Sequence, residues 1–237
     1  MTIFYPMVLW LTMAAVFLPG VGSRSASAQG PSDAKAAAAI YPKDVDPESR
    51  FRLPLVKRDQ LDADGKTVYD GLLARGGRNA TALSGPNAVR MHSPKLAGLM
   101  SAANEYLRSD ETGLGARLTE LAILVAAREV NSQYEWTAHE TAGLRAGLEQ
   151  EIIDLVKYRK PIAGLGEKEA AIIRLGREML SSPEVSSQTF ADARRLFGNK
   201  QLVDVAQLMS YYAATGAMLR AFDMQLNPNQ EPLLPLP

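Results

Sequence analysis

Residues 120–139 predict two helices separated by a very short break. Apolar side chains recur at helical spacing over residues 118–128, and this periodicity stops at residues 130–132. Asn131 is a residue type that favours the N-cap of a helix, so the second helix is expected to begin near Ser132. A connection this short joins helices that are neighbours in space. We therefore expect the two helices to fold back on one another.

The other periodic segments of the chain are also helical, and no alternating strand pattern persists. We count about seven or eight amphipathic segments, which predicts an all-α domain over residues 58–225. Residues 29–57 have no clear period and are expected to form a linker or N-terminal arm. Residues 226–237, rich in Pro and Asn, are expected to form a flexible tail. Within the domain, residues 78–91 are expected to form a loop, and Gly198 is expected to end a helix.

The N-terminus has the pattern of a secretory signal peptide, predicted over residues 1–28. Residues 7–18 form an apolar run shorter than the ~20 residues that a membrane-spanning helix needs. Residues 26–28 (Ala-Ser-Ala) form a small-residue cleavage site. This pattern predicts export, to the periplasm or outside the cell, with no stable membrane partner once the leader is cleaved. Residues 1–6 carry no Lys or Arg, so a leader retained as an anchor is the alternative.

Composition excludes several classes of function. The chain has 237 residues, with 26 Lys plus Arg and 26 Asp plus Glu, so its formal net charge is zero. No basic surface for nucleic acid is indicated, and no nucleic-acid partner is expected. The chain contains no cysteine, which excludes disulfides, thiolate catalysis and cysteine metal ligands.

The predicted helix pair carries the chemistry that the chain offers. Glu135 and His139 are four residues apart, so they share one face of a helix. Glu120, on the preceding helix, can approach them if the helices fold back. A carboxylate beside an imidazole raises its pKa or fixes its tautomer, and either effect is useful for proton transfer. The alternative is an ordinary solvated Glu–His pair on a helix surface.

This region resembles the carboxymuconolactone decarboxylase and alkylhydroperoxidase-like family. The peroxidase branch has a glutamate, eleven residues, Cys-x-x-Cys, three residues and a histidine. That frame falls on Glu120, Ser132, Glu135 and His139, so Ser132 and Glu135 replace the two cysteines. The sequence around His139 is similar to the thiol-free branch. Further similarity over about residues 55–225 lies at Gly85-Pro86-Asn87, Met91-His92-Ser93-Pro94, Tyr134-Glu135-Trp136 and Tyr211-Tyr212.

The resemblance implies an alkylhydroperoxidase-like helical fold, a homo-oligomer (trimer or hexamer) and a pocket near subunit contacts. In that pocket His139 would be the acid and base, Glu135 would orient it, and Glu120 would supply a second carboxylate, with a raised pKa if buried. Four further residues are expected to bind substrate: Ser132, His92, Tyr134 and Trp136. Arg90 and Arg117 are candidates, by position, to bind a substrate carboxylate.

The leading hypothesis is an acid–base enzyme that needs no cofactor and acts on a small carboxylated or lactone substrate. Decarboxylation fits this chemistry because it ends in protonation of carbon. Predicted export argues for a compound other than that of the named decarboxylase, and hydrolase, isomerase or dehydratase chemistry would use the same groups. Two alternatives stay open: a metal site built from His92, Glu120, Glu135 and His139, and a non-catalytic binding or assembly protein.

Overall fold

A computed structural model describes residues 41–76 and 82–236 of the chain. Within these ranges the secondary structure is entirely helical, which confirms the predicted all-α class. Its eight α-helices are α1 (Ala63–Arg75), α2 (Gly85–Arg90), α3 (Pro94–Leu107), α4 (Ala116–Glu129), α5 (Gln133–Arg145), α6 (Gln150–Lys157), α7 (Glu167–Ser181) and α8 (Ser187–Ala221). Two 3₁₀ turns lie at Arg58–Gln60 and Asp110–Thr112.

Helix α4 is the centre of the domain. Every residue from 119 to 127 is buried, and the helix packs against α5, α7 and α8. A helix that is apolar around most of its circumference is stable only when other elements cover all of its faces. Asn131 follows it with φ 51°, a left-handed conformation that Asn tolerates better than most residues. This turn reverses the chain, so α5 folds back on α4 as the sequence predicts.

The N-terminal arm is tied to the domain. Phe51 is fully buried in a second apolar cluster that includes Tyr69, Leu72 and Leu219 from α1 and α8. The Arg52 N–H donates to the Phe222 carbonyl at 2.9 Å, at the end of α8. The described part of the predicted linker is therefore a packed segment that joins the two ends of the domain.

One local prediction differs from the structure and another is confirmed. Residues 85–90 form α2 within the expected loop, because Ser84 precedes a helix with proline in its first turn. Gly198 has φ 67° and ψ 175°, which is not helical, so it separates two helical segments within Ser187–Ala221, as the sequence predicts.

The C-terminal segment also differs from its prediction, because residues 226–236 pack against α5. Leu234 is only 4% exposed and belongs to the main core. The Leu233 N–H donates to the Thr137 hydroxyl at 3.2 Å, and the Gln133 amide can pair with the N–H and C=O of Leu234 at 3.0 and 2.7 Å. Apolar side chains between the prolines supply the burial that a flexible tail lacks.

The predicted signal peptide, residues 1–28, lies outside the described residues. Among the helices that the structure does describe, none is both long and apolar enough to cross a bilayer.

Candidate active site

His139 and Glu120 form a hydrogen-bonded pair between α5 and α4. His139 Nδ1 lies 2.6 Å from Glu120 Oε2, and both side chains are almost fully buried. The other carboxylate oxygen, Oε1, accepts a hydrogen bond of 2.8 Å from Arg108 Nη2, just beyond the end of α3. An ionised carboxylate on Nδ1 fixes the tautomer in which Nδ1 carries the proton. His139 Nε2 is then free to accept or donate a proton.

Glu135 lies on the other side of the imidazole. Its Oε2 is 3.5 Å from His139 Nε2, as the four-residue spacing predicts. Its Oε1 is buried and has no hydrogen-bond partner among the described residues. Burial raises the pKa of Glu135 above its ordinary value, against the opposing charges of His139 and Arg90. A carboxyl group in this environment holds its proton at higher pH and is a proton donor.

The pKa values of the two carboxyl groups are shifted in opposite directions. Burial alone would raise the pKa of Glu120, but hydrogen bonds and charge from His139 and Arg108 outweigh it and lower the pKa. Glu120 is therefore the carboxyl group favoured in its ionised form, and it orients His139, whereas burial favours the protonated form of Glu135. The sequence analysis assigned these two roles the other way round. The difference arises because Arg108 reaches Glu120, whereas the Oε1 of Glu135 has no comparable partner.

Helix α8 supplies one wall of the site. The Tyr212 ring meets the His139 ring edge to face, with ring centroids 4.9 Å apart, and its hydroxyl donates to Asn104 Oδ1 at 3.2 Å. Burial raises the pKa of Tyr212, so its hydroxyl stays neutral. Tyr211 stands beside it and donates to the Met100 carbonyl at 3.1 Å. These contacts fix the histidine ring and exclude water from one of its faces.

Helix α2 supplies the opposite wall. A Cβ at Gly85, which has φ 58°, would collide with the Tyr134 hydroxyl, so the start of α2 lies directly against the Tyr134 ring. Arg90, at the other end of α2, is only 6% exposed. Its guanidinium donates to the Tyr211 hydroxyl at 2.9 Å and to the Thr215 hydroxyl.

These groups line a half-open cavity of about 190 Å³. Its lining combines aromatic faces with polar and charged groups: Pro86, Asn87, Arg90, Asn104, Arg108, Tyr134, Glu135, Ala138, His139, Tyr211, Tyr212 and Thr215. A small concave site with a few convergent polar groups and perturbed carboxyl groups is the usual form of an active site. Proton transfer between the His139–Glu135 pair and a bound molecule is the chemistry that it can perform.

Three of the predicted substrate-binding residues do not reach this cavity. Ser132 packs against Gly216 of α8, where an added Cβ would lie 2.8 Å from the Ser132 Cβ. Trp136 is fully buried and donates its indole N–H to Glu140, which also pairs with Lys157 at 2.7 Å. His92 is exposed, and its Nε2 lies 3.0 Å from the Pro54 carbonyl. Tyr134 alone of the four lines the cavity.

The position of His92 also bears on the metal alternative. The four-ligand arrangement requires His92 beside Glu120, Glu135 and His139, but the structure brings only the last three together. No group of three or more side chains suited to hold a metal ion occurs in the part of the chain that the structure covers. Arg117 is likewise remote from the cavity, because it pairs with Glu149 and with Glu169, the latter at 2.6 Å.

Sequence analysis did not identify Arg108 and Asn104, which contact Glu120 and Tyr212 respectively. Both residues lie at the end of α3, twelve or more positions from their partners. No short motif links them to His139. Arg90 was a candidate by position, and the helix start at Ser84-Gly85-Pro86 was the signal that could have placed it on a helix facing α8.

Comparison with known proteins supports the fold. No protein-family model matches the chain, and no curated protein matches it. One similar solved structure is the alkylhydroperoxidase AhpD core of an uncharacterized peroxidase-related protein from Ralstonia eutropha JMP134. The TM-score is 0.58 at 16% sequence identity, and the match covers 76% of this chain and 93% of the other. The chain therefore has the alkylhydroperoxidase-like helical fold.

Proposed function

We propose that the protein is a His/Glu acid–base enzyme that catalyses proton transfer at carbon in a small carboxylated or lactone compound. The observation that carries this proposal is the 2.6 Å contact between His139 Nδ1 and Glu120 Oε2, with Nε2 directed to the Glu135 side. Such an arrangement presents one imidazole nitrogen and one carboxylic acid to the same small cavity. Decarboxylation, isomerisation and dehydration are reactions that this pair supports.

The roles of the three groups follow from their environments. His139 Nε2 takes a proton from the bound molecule or delivers one to it. Glu120 holds the tautomer and stabilises the imidazolium that forms. Glu135 delivers a proton to the developing carbanion or enolate from the other side. Because the chain has no cysteine, it performs no thiol peroxidase chemistry, despite its structural similarity to a peroxidase-related protein.

Replacement of the histidine tests this proposal. We expect the full chain to turn over at least one member of a panel of carboxylated lactones and unsaturated acids. His139→Ala should lower kcat/KM by about 10²–10⁴-fold, the usual contribution of general acid–base catalysis. His92→Ala is the matched control: this exposed histidine lies outside the cavity, so its loss should leave turnover unchanged.

Equal turnover by wild type and His139→Ala would refute the proposal. If wild type, folded and in the same oligomeric state as the variant, turns over no compound of the panel, the alternative is favoured. That alternative is a non-catalytic binding or assembly protein on the same fold.

A further inference from the structure

Arg90 is a buried arginine held by neutral partners. Its Nη1 donates to the Tyr211 hydroxyl at 2.9 Å and its Nη2 to the Thr215 hydroxyl. The guanidinium carbon lies 5.1 Å from the centre of the Tyr211 ring. These contacts fix the orientation of the guanidinium group, and neither of them is to a carboxylate.

Arg108 and Arg117, by contrast, are each paired with acids. Arg108 pairs with Glu120 at 2.8 Å, and Arg117 pairs with two glutamates outside the cavity. For Arg90, no ion pair to an Asp or Glu is formed within residues 41–76 and 82–236, although the arginine is 94% buried. A buried charge without a counterion is costly, and it persists where a ligand supplies the counterion.

The cavity lining contains two arginines, Arg90 and Arg108. Arg108 pairs with Glu120 at 2.8 Å. Arg90 is therefore the arginine of the lining that forms no ion pair among the described residues. One substrate carboxylate would find a cation there, whereas a second would find none.

We propose that Arg90 binds the single carboxylate of the substrate, so that the site takes monocarboxylates and rejects dicarboxylates and neutral analogues. Guanidinium is suited to this role because its planar donors match the two oxygens of a carboxylate. The inference rests on the proposed function, since it takes this cavity to be the substrate site.

The cavity is small, with a volume of about 190 Å³. The faces of Tyr134 and Tyr211 leave apolar surface beside Arg90. A small unsaturated or ring compound with one carboxylate is suited to both features.

The contact between Arg90 and the substrate carboxylate also restricts the type of reaction that the site can catalyse. Arg90 stabilises the carboxylate before the reaction, and an interaction stronger in the ground state than in the transition state slows that step. Loss of this carboxylate as CO₂ is therefore disfavoured, and the substrate retains it. In the reaction that fits, His139 Nε2 removes a proton from one carbon and the electron pair shifts into an adjacent unsaturated bond. A proton then returns at another carbon, so the step is a redox-neutral isomerisation.

Binding of three compounds that differ only in charge tests the inference without turnover. Succinamate, succinate and succinamide have the same shape with one, two and no negative charges. Titration calorimetry on the full chain at pH 8 should show the tightest binding for succinamate. We expect Arg90→Met to weaken succinamate binding by about tenfold to a hundredfold, the usual effect of losing a charge-assisted hydrogen bond.

Two further variants keep this test decisive. Arg90→Lys retains the charge and should recover part of the affinity, which a general defect in folding would not allow. Arg58→Met removes one positive charge at an exposed ion pair with Asp70, so it controls for the change in overall charge. Its succinamate affinity should equal that of wild type.

The outcomes separate this inference from the proposed function. His139→Ala should still bind succinamate even though it has lost turnover. Equal affinity of wild type for all three compounds, no binding of any of them, or unchanged affinity in Arg90→Met would each overturn the role of Arg90. Turnover of a compound that loses its only carboxylate as CO₂ would also overturn the role of Arg90. In that case the proposed acid–base function would stand. Selective binding of succinamate without turnover of any compound of the panel would refute the acid–base function and support a carboxylate site at Arg90.

Discussion

At the scale of single residues, two carboxyl groups lie beside one imidazole, and their surroundings shift their pKa values in opposite directions. Glu120 receives hydrogen bonds from His139 and Arg108, which lower its pKa. Glu135 has a buried oxygen with no partner among the described residues, and burial raises its pKa. Pairs of titratable groups whose environments push their pKa values apart are typical of acid–base sites.

The buried carboxyl of Glu135 predicts a gain in stability on its removal. A raised pKa means that the native state binds this proton more tightly than the unfolded state does. Its contribution to stability is therefore favourable at low pH and is lost as the pH rises above about 4.5, the ordinary value. Relative to wild type, Glu135→Gln should gain free energy of unfolding as the pH rises from 4.5 to 8. Urea unfolding at several pH values measures this difference.

The same substitution at Glu140 is the matched control, because both residues are buried on α5. Glu140 pairs with Lys157 at 2.7 Å and accepts the indole N–H of Trp136. Glu140→Gln should destabilise the protein by about 3–5 kcal/mol, since it leaves the Lys157 charge buried and unpaired. If both variants lose stability at pH 8, Glu135 has a structural role and the account of its protonation is wrong.

Helical spacing was sufficient to predict part of the site. The interval of four residues between Glu135 and His139 placed them on one face, and the short break at Asn131 implied the approach of Glu120. Spacing does not reveal burial, which depends on groups far away in sequence. Arg108 and Tyr212 come from α3 and α8 and contact Glu120 and His139 only through the fold. The roles of the two carboxyl groups were therefore inverted in the sequence analysis.

At the scale of helices, the close packing of α4 with α7 positions Glu120. Gly176 of α7 faces Val125 of α4, and a Cβ there would overlap the Val125 Cγ1 and approach the Met209 Sδ to 3.1 Å. The glycine is therefore required by a close approach between helices. Such close packing fixes the position of α4 relative to α7. It therefore also fixes the position of Glu120 relative to α5.

Alanine at Gly176 should separate these helices. We expect Gly176→Ala to lower the free energy of unfolding by about 1–3 kcal/mol, the usual cost of overpacking a core. Gly71→Ala in α1 is the control, because that exposed position has no atom within 4 Å of an added Cβ. It should raise stability by about 0.5–1 kcal/mol through helix propensity. Equal changes in thermal and urea unfolding for both variants would show that α4 and α7 are not in tight contact.

The elements that sequence patterns predicted well were the long amphipathic helices. Helix α2 was missed because six residues are too few to show a helical period. Residues 226–236 were expected to be flexible because prolines dominate their composition, yet Leu234 finds a place in the core. Whether a single side chain in a non-periodic segment is buried depends on the surface against which it packs. No local sequence pattern predicts that surface.

At the scale of the whole molecule, the alkylhydroperoxidase-like fold brings four separate helices to one cavity. His139 comes from α5, Glu120 from α4, Arg90 from α2 and the tyrosines from α8. The predicted homo-oligomer, trimer or hexamer, and the predicted export of the chain stay predictions.

The most direct test of the account is the fate of a proton at carbon. The full chain is incubated in D₂O with the panel of carboxylated lactones and unsaturated acids, and deuterium at carbon is followed by NMR. We predict incorporation that is faster with wild type than in buffer and falls to the buffer rate with His139→Ala. If wild type consumes a compound without placing deuterium at carbon, or His139→Ala incorporates it at the wild-type rate, His139 does not transfer a proton to carbon in this cavity.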